Sequence, residues 1–376
     1  MKRLAALVVL AVAAAVVIEL VAGTPDAPEP EVESLGPLPR DATWVSPSGA
    51  DRNPGTRKEP RRSLQAALNA MVPGDTLVLA PGSYAREGAT IAVTRDGTAD
   101  APITIRGEPG APRPRLLGAA RIEASHVRLH HLLFDGPTGP VQERTTENPR
   151  GEQVQVVVGG DGGPFRDIEI ADCEVRDSDW HAGIFVVHAE DVRILGNHIH
   201  HNGDPDDPVQ ANLSHGIYWD SGSGLVANNV VERNVARGIQ LYPEPSGVVV
   251  THNTIVANGR AGVQLGDRAT GNVVVNNIVV FNGDRGIRSA SLSGSGNRAS
   301  TNLVWGNVGE VEELGTGLVL TETLTEPPLF ADREYRLTRA SPAVDRGIES
   351  GAVAFDRDGR KRPVGEGSDL GAYESW

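Results

Sequence analysis

From residue 165 to residue 307 the chain repeats one short pattern of apolar and polar positions. The unit Asn-x-(Ile/Val/Leu)-x-x-Asn occurs as Asn197-His-Ile-His-His-Asn202, Asn229-Val-Val-Glu-Arg-Asn234, Asn253-Thr-Ile-Val-Ala-Asn258, Asn277-Ile-Val-Val-Phe-Asn282 and Asn302-Leu-Val-Trp-Gly-Asn307. Cys173 and Ser178 occupy the same two columns one repeat earlier, and successive first-column spacings are 24, 32, 24, 24 and 25. After each Asn pair comes a second pattern: Gly183-Ile-Phe-Val, Gly216-Ile-Tyr-Trp, Gly238-Ile-Gln-Leu, Gly262-Val-Gln-Leu and Gly286-Ile-Arg-Ser. No stretch here holds the ten or more residues of 3.6-residue periodicity that a helix needs. Short strands with corners at a fixed period predict a solenoid whose turns pair at about 4.8 Å. Asn at a fixed corner then stacks into a hydrogen-bonded ladder along the axis. Cys173, in the Asn column, reads as a buried corner residue rather than a nucleophile.

This pattern resembles the right-handed parallel β-helix proteins, the architecture of pectate lyases and related polysaccharide-acting enzymes. The resemblance reaches both ends. WVSPSGADRNPGT and SLQAALNAMVPGDTLVLAPGSY look like the N-terminal cap of secreted β-helix proteins, with Leu64, Ala67, Leu68 and Met71 on one helical face after Ser63. SPAVDRG, DRDGRKRP and DLGAYE resemble the closing segment of bacterial secreted members. The expected fold is all-β, a right-handed parallel β-helix of about nine or ten coils with a short N-terminal capping helix. Its parts are a cap at 41–85, coils at 86–325 and a closing segment at 326–376. Activity does not follow from the fold.

Departures from the period locate a candidate site. The interval from Asn202 to Asn234 is eight residues longer than its neighbours, through GDPDDPVQANLS. Leu132 to Cys173 is about seventeen over period, through PTGPVQERTTENPRGE after the same corner. Two long loops from one corner are expected to wall a groove over the Gly-Ile-x-x strands. Strand alternation points Phe185, Tyr218, Gln240, Gln264 and Arg288 outward, then Asp220 and Tyr242, with Trp219 in the core. Phe185, Tyr218 and Tyr242 form an expected exposed aromatic strip suited to sugar rings, unless the loops cover them. His215 and Arg237 precede the Gly of their coils; His181 and His188 lie one coil earlier. Histidine suits proton transfer near neutral pH. The expected catalytic set is His215 as proton-abstracting base, Arg237 as carboxylate or oxyanion partner, and Asp220 orienting His215 or donating a proton. Tyr218, Tyr242, Phe185, Gln240, His181 and His188 are expected to bind substrate. Asp204, Asp206 and Asp207 offer hard oxygen ligands for Ca²⁺, against the plainer reading of a solvated turn. His198, His200 and His201 face elsewhere and receive no role.

Composition narrows the partners. A formal charge of −14 argues against nucleic acid and anionic membrane surfaces. The single cysteine excludes an internal disulfide and cysteine-based metal motifs. Lys2 and Arg3 precede fifteen uncharged apolar residues, Leu4 to Ile18, before Glu19. A spanning helix wants about 20, so residues 1–23 read as a signal peptide, or else an N-terminal anchor. Residues 24–40 read as a Pro-rich linker. The chain is expected outside the cytoplasm, as a monomer.

Two functions remain. The resemblance implies a polysaccharide lyase, in which a basic residue removes the proton beside a uronate carboxylate while cations or Arg neutralise that carboxylate. The chain departs from the pattern in having no Lys between Lys58 and Lys361, which leaves His215 or an Arg such as Arg237 as base. The paired-Asp and Gly-His-Gly signatures of β-helix polygalacturonases are absent, and a hydrolase or epimerase would need Asp220 or a loop Asp as acid. The alternative is a non-catalytic glycan-binding or structural β-helix protein of the cell surface.

Overall fold

The computed structural model describes residues 37–136, 155–178, 182–207, 212–290, 294–313, 317–349 and 353–375. The apolar N-terminal run, nearly all of the Pro-rich linker and the long loop 137–152 lie outside them. Among the described residues no helix is long and apolar enough to cross a membrane.

Each coil contributes a strand to three faces. The first contains Val156–Gly159, Ala182–Val187, the start of His215–Ala227, the start of Ile239–Thr251, Val263–Leu265 and Arg285–Ser289. The second runs from Thr43–Val45 through Thr76–Leu79 and Ile103–Gly107 to Leu318–Thr321. The third holds Glu174–Arg176, His198–His200, Val230–Glu232, Thr254–Val256, Ile278–Val280 and Leu303–Trp305. Pairing is parallel and in register, as in Ile199 to Val231 to Ile255 to Val279 to Val304. The product is a right-handed parallel β-helix. Residues of the cap contribute strands of their own, so among the described residues the second face counts eleven strands.

Inward residues fill the bore. Ile184, Ile217, Ile239, Val263, Ile287 and Trp219 have no exposed surface, as the alternation predicts. Both Asn columns form ladders. Asn229 donates its backbone N–H and Nδ2 to Asn253 Oδ1 at 3.0 and 2.9 Å, and Asn253 repeats the pattern on Asn277 Oδ1 at 2.9 and 3.0 Å. The second column runs the same way from Asn202 to Asn307. The residue before a ladder Asn takes a left-handed conformation, as Asn228 (φ 58) and Arg233 (φ 50) do, and this bends the chain at the corner. Gly216 fits tightly here, because a Cβ would come within 2.5 Å of Val231 Cγ1 and 2.8 Å of Asn234 Nδ2. Packing of the next strand against the Asn ladder thus explains the Gly that opens each Gly-Ile-x-x strand.

Cys173 begins the first ladder. It is fully buried, its N–H donates to Asn197 Oδ1 at 2.9 Å, and burial pushes its thiol up to about 12. The helix Leu64–Ala70 starts at Ser63, whose Oγ accepts the Ala66 N–H, and buries Ala67 and Leu68. The C-terminal segment lies along the flank of the third face. Leu337, Ala343 and Leu370 cover Val256, Ile278, Val280 and Leu303, while Ala372 and Tyr373 cover Val230. A buried Arg362–Glu374 ion pair ties this segment together, and Arg362 reaches Asn228 Oδ1 at 3.0 Å.

Candidate active site

The first face carries the expected outward row in register: Val157, Phe185, Tyr218, Gln240, Gln264 and Arg288 lie side by side on successive coils. Its aromatic part is not an open strip. Phe185 retains only 4% of its surface, packed with Val157, Ala182 and Val187, and Tyr218 stacks over it at 5.0 Å. Phe185 is therefore a packing residue, since neighbouring apolar side chains and the Tyr218 ring leave no face for a sugar. Tyr218 is half-buried and Tyr242 is exposed. Between Trp219 and Ser221 the register slips by one residue, so Tyr242 and Pro243 together face Asp220. Such a bulge re-aims a side chain. The Tyr242 ring lies against Gly266, where a Cβ would come within 3.1 Å of it.

His215 is buried, 2% exposed, with its ring edge-on to Tyr218 at 5.4 Å. Its Nδ1 accepts the backbone N–H of Arg237 from the next coil at 3.3 Å. In the neutral imidazole the proton then sits on Nε2, so the second nitrogen is a donor. Of the two nitrogens of His215, the expected proton-abstracting base, one is thus met by a backbone N–H and the other is left to donate. The Arg237 side chain donates Nε to Gln264 Oε1 at 2.7 Å and Nη1 to the Asn212 carbonyl at 3.2 Å. Burial, with repulsion from Arg260 and Arg288, lowers the guanidinium to about 10, against the pull of Asp284 and Tyr218. Beside it Gln240 is 8% exposed, and its Oε1 has no hydrogen-bond partner among the described residues. Asp220 Oδ2 accepts the Ser221 hydroxyl at 3.1 Å, and Ser221 Oγ in turn accepts the backbone N–H of His188 at 2.9 Å. His188 is exposed at the rim, and His181 lies outside the described residues.

The three aspartates expected to offer oxygens to Ca²⁺ lie together at 204–207. Among the described residues no group of three or more His, Cys, Asp or Glu could hold a metal ion, Asp204, Asp206 and Asp207 included. Asp204 Oδ1 accepts the Asp206 N–H at 2.9 Å, the bond of a short polar turn.

Arg260 and Gln264 escaped assignment in the sequence. The available signal was an arginine close before the strand Gly in three successive coils, at Arg237, Arg260 and Arg285.

Comparison with known proteins agrees with this architecture. Residues 141–279 match the family described as "Right handed beta helix region". The fold is that of a right-handed parallel β-helix. It is similar in fold to the crystal structure of pectate lyase Pel9A, with a TM-score of 0.63, 14% identity, and coverage of 89% of this chain and 97% of that one. The periplasmic alginate epimerase AlgG matches over 68% of this chain and 61% of its own, at 14% identity and a TM-score of 0.44. In sequence, 126 residues are 28% identical to YwoF of Bacillus subtilis (strain 168), named as an uncharacterized protein. That match spans 32% of this chain and 26% of the relative.

Proposed function

We propose that this protein is an exported enzyme that cleaves an acidic polysaccharide by β-elimination on the first face. The observation that carries the reading is Arg237: a guanidinium held by Asn212 and Gln264, lowered to about 10 with Arg260 and Arg288 around it. Arg237 is the base and takes the proton beside the uronate carboxylate. The electron pair forms the ring double bond, the glycosidic C–O bond breaks, and the departing oxygen takes a proton from water. Arg260 and Arg288 hold the carboxylate, whose charge grows as the proton leaves. Tyr242 stacks on a sugar ring. The fold shared with pectate lyase Pel9A supports a polysaccharide substrate.

The test is release of unsaturated ends from polygalacturonate and alginate by the full chain, with and without chelator. Arg237→Gln should abolish release, and no release by the parent protein on any uronate polymer removes the lyase reading. A second reading, non-catalytic glycan binding, is favoured by the burial and tautomer of His215. It prevails if the parent binds these polymers without cleaving them and Tyr242→Ala loses the binding.

A further inference from the structure

A second polar cleft of about 410 Å³ lies on the third face, where the C-terminal segment meets the coils. Its volume is within the range of about 300–1,000 Å³ common for small-molecule sites. His198, Val230 and Glu232 come from the coils, and Tyr335, Arg357 and Tyr373 from the C-terminal segment.

The chemistry of the lining selects a ligand class. Four arginines and four carboxylates border the cleft. A net anion or cation would meet as much repulsion as attraction there. A sugar hydroxyl both donates and accepts, and vicinal hydroxyls are served by an arginine beside a carboxylate. An apolar part is also present, in the buried Val230 and the half-buried Tyr335 ring. One nitrogen each of Arg357 and His198 is engaged by no described residue. Arg357 gives Nη1 to the Tyr373 hydroxyl at 2.6 Å, while its Nε is buried without a partner among the described residues. His198 Nε2 lies 2.9 Å from Glu232 Oε1, and burial lowers the imidazole, leaving Nδ1 an acceptor. Tyr335 adopts φ 67, rare for a bulky residue, and its hydroxyl donates to Glu232 at 2.5 Å.

We propose that this cleft binds one or two units of a neutral saccharide, with Arg357 and His198 on its hydroxyls and Tyr335 against its ring. The site is separate from the first face and does not depend on how that face acts.

The experiment titrates the full chain with glucose, galactose, mannose, xylose and N-acetylglucosamine, with glucuronate and inorganic phosphate as anions, by ligand-observed NMR. At least one neutral sugar should bind saturably, with little dependence on salt. Arg357→Met should weaken it about tenfold, the scale of one lost hydrogen bond to a charged group. Arg333, an exposed arginine that also lines the cleft, gives the second variant: Arg333→Ala should weaken binding too and keeps the test valid if Arg357→Met does not fold. Tyr242→Ala should leave it unchanged. Saturable binding of no neutral sugar, a preference for glucuronate or phosphate that salt abolishes, or unchanged affinity in both arginine variants overturns the proposal.

Discussion

The backbone N–H of Arg237 donates to His215 Nδ1 at 3.3 Å, joining adjacent coils beneath the first face. Any uronate cleavage should therefore show no inflection in the usual histidine range near pH 6.5. Activity should instead rise about tenfold per pH unit toward about 10, as Arg237 loses its proton. A pH–rate profile of the parent checks this, and a plateau above pH 7.5 or so removes Arg237 as base. His215→Ala leaves a buried N–H without its acceptor and should lower stability by about 1–3 kcal/mol in a denaturant titration.

Phe185 and Tyr242 should separate stability from binding. Phe185→Ala opens a cavity among Val157, Ala182 and Val187 and should cost about 3–5 kcal/mol. Tyr242→Ala, at an exposed ring, should leave the melting temperature within a degree or two and weaken polysaccharide binding. Equal melting of parent and Phe185→Ala would show that the ring is open to solvent.

Asn253 makes its ladder bonds on both neighbouring coils. Asn253→Leu strands the Asn229 backbone N–H and one Nδ2 proton in a dry interior, and leaves Asn277 Oδ1 with only the backbone N–H of residue 253. A loss of at least about 3 kcal/mol is expected, from two or more buried groups at about 1–3 each. Calorimetry that finds the variant melting with the parent refutes the role given to the ladder.

Three histidines pair with acids one coil on: His126 with Asp167 at 2.8 Å, His130 with Glu169 at 2.7 Å, and His131 with Asp172 at 2.7 Å. The Asp172 hydrogen bond raises His131, so its contribution is complete below about pH 6.5 and lost as pH rises through the higher folded value. Burial alone would raise Asp167 and Glu169, yet Arg128 and His126 hold the first, and His130 and Arg193 the second, at about 2. Their contribution is present above about pH 4 and lost as pH falls toward 2. Melting temperature should peak between about pH 5 and 6.5, and Asp172→Asn should flatten the alkaline side. A parent curve level from pH 6 to 8 contradicts the pairing.

Cys173, buried and raised to about 12, should resist a thiol reagent in the native protein and react fully in denaturant. Prompt labelling of the native protein would place the thiol at the surface.

The period of the chain carried the fold. Asn at 24-residue spacing has one favourable use, a buried amide stack, and Gly before Ile marks where the next strand packs against it. Both follow from contacts that recur identically from coil to coil, so a local pattern determined a global architecture. The outward direction of Phe185, Tyr218 and Gln240 was equally legible, since strand alternation is a local rule. Whether an outward ring meets solvent was not, because neighbouring coils and Tyr218 cover Phe185 while a bulge leaves Tyr242 open. Nor does a residue type reveal its tautomer or its charge. His215 Nδ1 accepts a backbone N–H from 22 residues away, and Arg237 owes its lowered pKa to burial and two arginines on later coils. The cleft of His198 and Glu232 needed Tyr335, brought back across 103 residues by a C-terminal segment that folds along the flank. No repeat encodes that return, because it rests on apolar contacts between unlike surfaces, which only the assembled tertiary structure brings together.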